Sequence, residues 1–214
     1  MKIQTLNVAG IREAMMAMRN PKKSRAKNDT TQDGILGTND RTLTLTLQKA
    51  GPEHAKHLRM IIVWVDITAP FYWWKQFDTY RAGVEKLAES TMHTITRDEF
   101  VNANFEYDNN LMSGQAATAA AAAMNSLRGY YLAETDPKKK QEIWRVIVQN
   151  LPESYLQMRT VMVSYAALRN MIHQRIGHKL PEWRQFIAWC RTLPEADTLL
   201  FNNEELNAEE VSPE

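Results

Sequence analysis

The chain has 214 residues, with 26 Lys and Arg against 25 Asp and Glu and a formal net charge of +1 at pH 7. That balance gives no chain-wide electrostatic reason to expect nucleic acid or an anionic membrane as partner. Cys190 is the only cysteine, so an intrachain disulfide is excluded; no apolar run reaches the roughly 18 to 20 residues of a membrane span and no signal-peptide pattern is found, so a cytoplasmic protein is expected.

Lys2 to Val8 alternates as a short strand, and Ile11 to Met18 is rich in the helix formers Ala and Met. Asn20 to Asn39 is polar, with Pro21, Gly34 and Gly37, and is expected to be a long loop that is mobile or closes over a site. The local basic cluster Arg19, Lys22, Lys23, Arg25 and Lys27 fits a solvated loop first and phosphate binding second. Arg41 to Gly51 presents a conflict. Thr42-Leu43-Thr44-Leu45-Thr46-Leu47 alternates like a half-buried strand, whereas Asp40 and Gly51 are placed to cap a helix at its two ends.

Ile61 to Ile67 is almost continuously β-branched or aromatic, the composition of a strand covered on both faces. Pro70 stops the ladder for want of an amide, and Trp73, Trp74, Phe77 and Tyr80 then recur at helical spacing. Val84 to His93 is polar and small, and Asp98 to Phe105 predicts a short helix or turn. Gln115 to Ala133, with Ala at 116, 117 and 119 to 123, predicts a helix whose low bulk suits close packing within or between chains. Asp136-Pro137 caps a further helix bearing Ile143, Trp144, Ile147 and Val148. Another helix is expected from Tyr155 to Arg175, ended by Gly177, and a last one opens at Pro181 with Trp183, Phe186, Ile187 and Cys190 on one stripe, where a free thiol packs as a small hydrophobe. One domain is expected over residues 1–200. The acidic tail 201–214 is expected to be disordered.

The nucleotide and metal signatures G-x-x-x-x-G-K-[ST], G-x-G-x-x-G, C-x-x-C and H-E-x-x-H are absent. His54 and His57 lie three apart without a third ligand in view, so metal is not expected. The richer set is Arg159, Arg169, Asn170, His173 and Arg175, which is either the solvated flank of a helix or an anion clamp.

On particular residues the chain resembles the flavin-dependent thymidylate synthases, the ThyX family. There a strand ends in Ala-Pro, a helix with Arg-Gln follows, and the signature R-H-R-x-x-S-x-N-E-x-S-x-R comes next. Here Ala69-Pro70 is followed by Lys75-Gln76, and Thr79-Tyr80-Arg81 stands where the family has Arg-His-Arg. Val84 replaces the first serine, the Asn-Glu pair is missing, and Ser90 falls at the second serine. Farther on, Leu151-Pro152, Tyr155, Leu168-Arg169-Asn170, Arg175 and Glu182-Trp183 follow the family's order and spacing.

The resemblance implies an α+β fold, a single domain with a small sheet packed by several long helices. It resolves Arg41 to Ala50 as helix. It also implies a homotetramer that binds FAD between subunits and methylates dUMP to dTMP, with a methylenetetrahydrofolate carbon and NADPH hydride. By analogy Arg81, Asn170 and His173 bind the cofactor, Gln76 and Arg175 bind the pyrimidine nucleotide, and Ser90 takes a catalytic position. The lost signature residues keep two other outcomes open: a changed pyrimidine-modifying reaction such as hydroxymethylation, or a non-catalytic nucleotide-binding or structural homologue.

Overall fold

Strand β1, Lys2–Ala9, begins the chain, and helix α1, Ile11–Ala17, follows across Gly10. Gly10 is required there: its φ of 92° is left-handed, and a Cβ would meet the Met60 carbonyl oxygen at 2.4 Å. The computed structural model describes residues 1–201. After two 3-10 turns come α2 (Thr38–Lys49), β2 (Ile62–Pro70), α3 (Phe71–Phe77), β3 (Val84–Ala88) and the one-turn α4 (Thr91–Thr94). The rest is α5 (Leu111–Ala133), α6 (Pro137–Gln149), β4 (Leu156–Ser164), α7 (Tyr165–Arg175), α8 (Pro181–Cys190) and α9 (Ala196–Leu199).

The strands form one sheet in the order β1-β2-β4-β3, so the fold is α+β with a small sheet and several helices. Tyr165 N donates to Ile61 O and Phe71 N to Tyr155 O, which sets β2 and β4 antiparallel. Burial along β2 alternates between fully buried and half-buried residues, with Val63, Val65 and Ile67 on the covered face. The expected strand covered on both faces is therefore corrected to one with a single fully covered face, and Trp64 lies half-buried on the other.

The chain groups into two compact units. The first comprises Met1–Lys2, Ile67–Thr79 and Leu87–Arg159. In it α5 packs on α6, with Ala117, Ala121, Met124 and Ile147 buried together with Ile95, Phe100 and Phe105. Asn110 caps α5 by accepting from Ser113 N, and Asp136 caps α6 by accepting from Lys138 N, as its Asp-Pro pair predicts. On α3, Trp73, Trp74 and Phe77 are fully buried and meet edge-on or tilted, with centroids 4.9 to 5.3 Å apart. Each such ring removes enough apolar surface to contribute up to about 4 to 6 kcal/mol. Trp74 Nε1 donates to Gln157 O, and the Arg159 guanidinium lies 4.3 Å from the Trp74 ring while Nη1 donates to both Asp78 oxygens.

The second unit comprises Ile3–Asp66, Tyr80–Lys86 and the chain from Thr160 onward. Met15, Leu58, Ile61, Tyr165, Leu168, Ile172, Trp183 and Phe186 are buried there, with Cys190, whose thiol burial pushes well up. The acidic tail expected over 201–214 lies, apart from Phe201, outside the described residues. Phe201 is buried, under the Arg191 guanidinium.

Two expectations are corrected, and the helix expected over Arg41 to Ala50 is present. The helix predicted from Tyr155 to Arg175 is a strand followed by a helix, β4 then α7, with Val161 and Val163 buried at period two. Loop 20–39 is folded around a buried carboxylate. Asp40 Oδ2 accepts from Asn28 Nδ2, Asp29 N, Thr30 N and Thr30 Oγ1, at 2.6 to 3.0 Å, and Oδ1 accepts from Arg19 Nε at 2.5 Å. Arg19 is thus not part of a solvated basic cluster; it is 4 % exposed. Arg41 to Gly51 is helical from Thr38 to Lys49, and its buried face is the polar row Asp40, Thr44, Gln48 at four-residue spacing.

Candidate functional site

Helix α7 begins where β4 ends. Ser164, the last strand residue, caps it by accepting from Ala167 N at 3.2 Å, and Ser164 N donates to Gly83 O. Gly83 has a φ of 72°, and a Cβ there would sit 2.5 Å from Ser164 Oγ. Only glycine lets the turn after Tyr80 lie against the helix start.

Around this junction the second unit opens into a cleft of about 1080 Å³. Its walls are apolar, with Leu45 of α2, Leu58 and Ile62 before and in β2, and Ala166 and Ala167 of α7. Its charged groups are Lys49, Arg59 and Arg169, joined by the polar Gln48, Ser164 and Asn170, and no carboxylate of the described residues lines it. Three cations and three polar side chains around one hollow favour an anion there, and the apolar walls suit a flat ring system. The donor set thus fits a cofactor that joins a diphosphate to ring systems, and FAD is such a group. Burial lowers the Arg169 pKa while leaving it a cation at neutral pH.

Asn170 lines the cleft, and His173 is exposed one turn farther along α7 on the same side. Arg81 is exposed and immediately precedes Ala82 and Gly83 of the lining. Arg175 sits at the end of α7, where its Nε donates to Tyr80 Oη at 2.9 Å and its guanidinium stacks 4.8 Å from the Trp183 ring. Tyr80 Oη in turn donates to Gln174 Oε1, and Gln174 Nε2 to Asn170 Oδ1. The second unit therefore brings Asn170, Arg175 and Tyr80 into one hydrogen-bonded line. His178, beside this line, has a lowered pKa from desolvation and from the Arg175 charge.

Gln76 and Ser90 belong to the first unit. Gln76 is half-buried on α3. Ser90 precedes α4, where its carbonyl accepts from Thr94 Oγ1 at 2.8 Å. It lines a smaller hollow of about 350 Å³ with Glu89, Arg97, Asp98, Glu99 and Tyr155. Burial raises the Tyr155 phenol, with Glu89 and Asp98 adding to the effect, so the hydroxyl is a neutral donor. Three carboxylates against one arginine make this hollow unfavourable to a phosphate and better suited to a neutral or cationic group.

Sequence reasoning missed Lys49, Arg59 and Gln48, and it weighed His57 only as a metal ligand. His57 is buried with Nε2 2.7 Å from Thr44 Oγ1, and it is not the partner of a metal-binding His54, which is exposed. A signal existed for Gln48. Once Arg41 to Ala50 is taken as helix, Asp40, Thr44 and Gln48 fall on one face.

No protein-family model matches this sequence, and no curated protein matches it either. Solved structures do. The flavin-dependent thymidylate synthase ThyX from Helicobacter pylori, complexed with FAD and dUMP, is similar with a TM-score of 0.71 and 17 % identity, over 96 % of this chain and 99 % of that one. A second structure of thymidylate synthase X from Helicobacter pylori with FAD and dUMP gives 0.73 and 16 %, over 96 % and 98 %. No helix among the described residues is long and apolar enough to cross a membrane. At this identity the likeness is one of fold, and over nearly the whole of both chains the fold is ThyX-like.

Proposed function

We propose that this chain is a flavin-dependent enzyme of pyrimidine nucleotide metabolism, which methylates dUMP to dTMP with a methylenetetrahydrofolate carbon and hydride from NADPH. The observation that carries this reading is the cleft at the start of α7, whose charged groups among the described residues are Lys49, Arg59 and Arg169. Its support is a backbone shared at a TM-score of 0.71 with a protein that holds FAD and dUMP. Bound FAD would supply the hydride chemistry; the chain's own residues bind, orient and exclude water. Lys49, Arg59 and Arg169 meet phosphate oxygens, Arg81 adds a phosphate or ribose contact, and Asn170 and His173 present polar groups to the ring system. Arg175 is proposed for the nucleotide phosphate. Gln76 is proposed for a nucleotide contact, and Ser90 keeps the catalytic position that the family signature gives it.

Growth of a thymidine-requiring strain without thymidine is the direct test. Complementation is expected. A soluble, flavin-loaded protein that fails to complement would point to the changed reaction instead.

Arg175→Ala is expected to weaken dUMP binding by about 1.5 to 3 kcal/mol, the range of a charge-assisted hydrogen bond. It should also lower stability, because the guanidinium stacks on Trp183 and bonds Tyr80, by about 0.5 to 2 kcal/mol. Calorimetry with dUMP and a thermal melt separate the two effects. Equal affinity alongside a lowered melt would leave Arg175 as a brace between α7 and α8.

A homotetramer is proposed for the same reasons of family likeness, and α5 supplies a surface for it. Ala116, Ala119, Ala122 and Ala123 are exposed, as are Met112 at 80 % and Tyr130 at 65 %. Light scattering at micromolar concentration is expected to give four times the chain mass of 24.7 kDa, and a monomer would contradict it.

A further inference from the structure

Asn170 lines the cleft with an amide that can be turned either way, and the two orientations have the same shape and opposite polarity. The neighbouring hydrogen bonds choose between them. Arg175 Nε donates to Tyr80 Oη at 2.9 Å, Tyr80 Oη donates to Gln174 Oε1 at 3.0 Å, and Gln174 Nε2 donates to Asn170 Oδ1 at 3.1 Å. The oxygen of Asn170 is thus the accepting end of this line, and its Nδ2 amide group is the end left for the cleft. Among the described residues, Asn170 Nδ2 has no hydrogen-bond partner.

The line runs in one direction. A guanidinium has only N–H groups to give, a phenol hydroxyl facing an amide oxygen must donate to it, and an amide nitrogen facing a second amide oxygen donates in turn. Each bond polarises the next in the same sense, from the Arg175 cation toward Asn170. The far end is packed in place: Tyr80 is buried, with its ring 6.1 Å from Trp183 and 5.5 Å from the Arg175 guanidinium. Gln174, by contrast, is exposed, four residues from Asn170 on α7 and outside the lining of the cleft. A pair of this kind on a helix surface adds little to stability, so its effect falls on orientation.

We infer that Gln174, itself oriented by Tyr80, is a positioning residue that holds Asn170 as a hydrogen-bond donor, so that the cleft selects a planar ring whose facing edge carries a carbonyl oxygen rather than an N–H group. Turning the Asn170 amide over would set its N–H groups against those of Gln174. A ring N–H brought against the held amide would meet donor with donor, and a desolvated donor without an acceptor costs more than an absent bond. Conjugated ring carbonyls occur in flavins and in pyrimidines alike. That one of these rings lies against Asn170 rests on the proposed function, whereas the polarity of the amide does not.

The test uses FAD and dUMP as probes, each titrated into the full chain and into Gln174→Leu, Asn170→Ala and the double variant. Wild type is expected to bind at least one probe, and each single variant to bind that probe about three- to tenfold more weakly, the range of one neutral hydrogen bond, at an unchanged melting temperature. The double variant is expected to bind no more weakly than Asn170→Ala alone, because Gln174 acts through Asn170. Where FAD is the probe, the visible spectrum of the flavin bound to Gln174→Leu is expected to shift to that of Asn170→Ala. Losses that add in the double variant, or a Gln174→Leu protein with a lowered melting temperature and wild-type affinity, overturn the positioning role and leave the pair as a helix-surface contact. Asn170-dependent dUMP binding without FAD uptake supports the inference and removes the flavin reading. FAD uptake with neither probe sensitive to Asn170→Ala keeps the flavin reading and overturns the inference, and wild type that binds neither probe overturns both.

Discussion

Asp40→Ala is expected to destabilise the protein by about 3 to 5 kcal/mol, the cost of removing one partner of a buried ion pair. Asp40 is fully buried, and its carboxylate accepts five hydrogen bonds, from Arg19, Asn28, Asp29 and twice from Thr30. Removing it leaves the Arg19 guanidinium charged and buried, with two backbone and side-chain donors of Thr30 also stranded. The loss should show as a lower urea midpoint, and as faster proteolytic cutting within residues 20–39, the segment that Asp40 gathers. A change below about 1 kcal/mol would mean that water or a rearranged loop satisfies Arg19 equally well.

The second large effect is a loss of stability in mild acid that traces to His57. Desolvation lowers its folded pKa to about 4 from the ordinary 6.5. The neutral ring is the one that folds, so between these values the unfolded chain binds the proton and the folded chain does not. Stability from this source is therefore complete above about pH 6.5, declines as pH falls, and is fully lost below about pH 4, a total of roughly 3 kcal/mol. Urea midpoints at pH 7 and pH 4.5 measure it. His57→Gln, which cannot be charged, is expected to start less stable at pH 7 and to lose much less on acidification; an equal acid slope in both proteins would assign the effect to carboxylates instead.

The same histidine shows where the sequence stops being informative. The strand Ile62–Pro70, the aromatic helix after it, the alanine helix, and the Asp136-Pro137 cap follow from periodicity and capping chemistry, and the structure has them. Two elements do not follow. Leu156-Gln157-Met158-Arg159 is made of good helix formers, so local propensity extends α7 backward, whereas pairing with its neighbours makes it β4. In α2 the Thr-Leu alternation suggests a strand because the apolar residues are taken to be the buried ones. The helix buries Asp40, Thr44 and Gln48 in their place, and leaves Leu45 at 36 % exposure lining the cleft.

The site divides in the same way. Arg169 and Asn170 share one turn of one helix, and a sequence displays them together. Gln48, His57, Lys49 and Arg59 reach the same region from other elements, and polar side chains that pair across a fold leave no periodic trace. Arg175 fits the family spacing, yet its bond to Tyr80 and its stacking on Trp183 give it a structural role that spacing does not reveal.

The central claim is that the second unit's cleft holds a flavin, and the most direct measurement is FAD retention. The purified protein is incubated with excess FAD, passed through gel filtration, and its absorbance recorded in the oxidised-flavin region. Stoichiometric yellow flavin eluting with the folded protein, and reduced uptake for Arg169→Gln, is the predicted result. A folded, colourless protein that takes up no FAD would contradict the account.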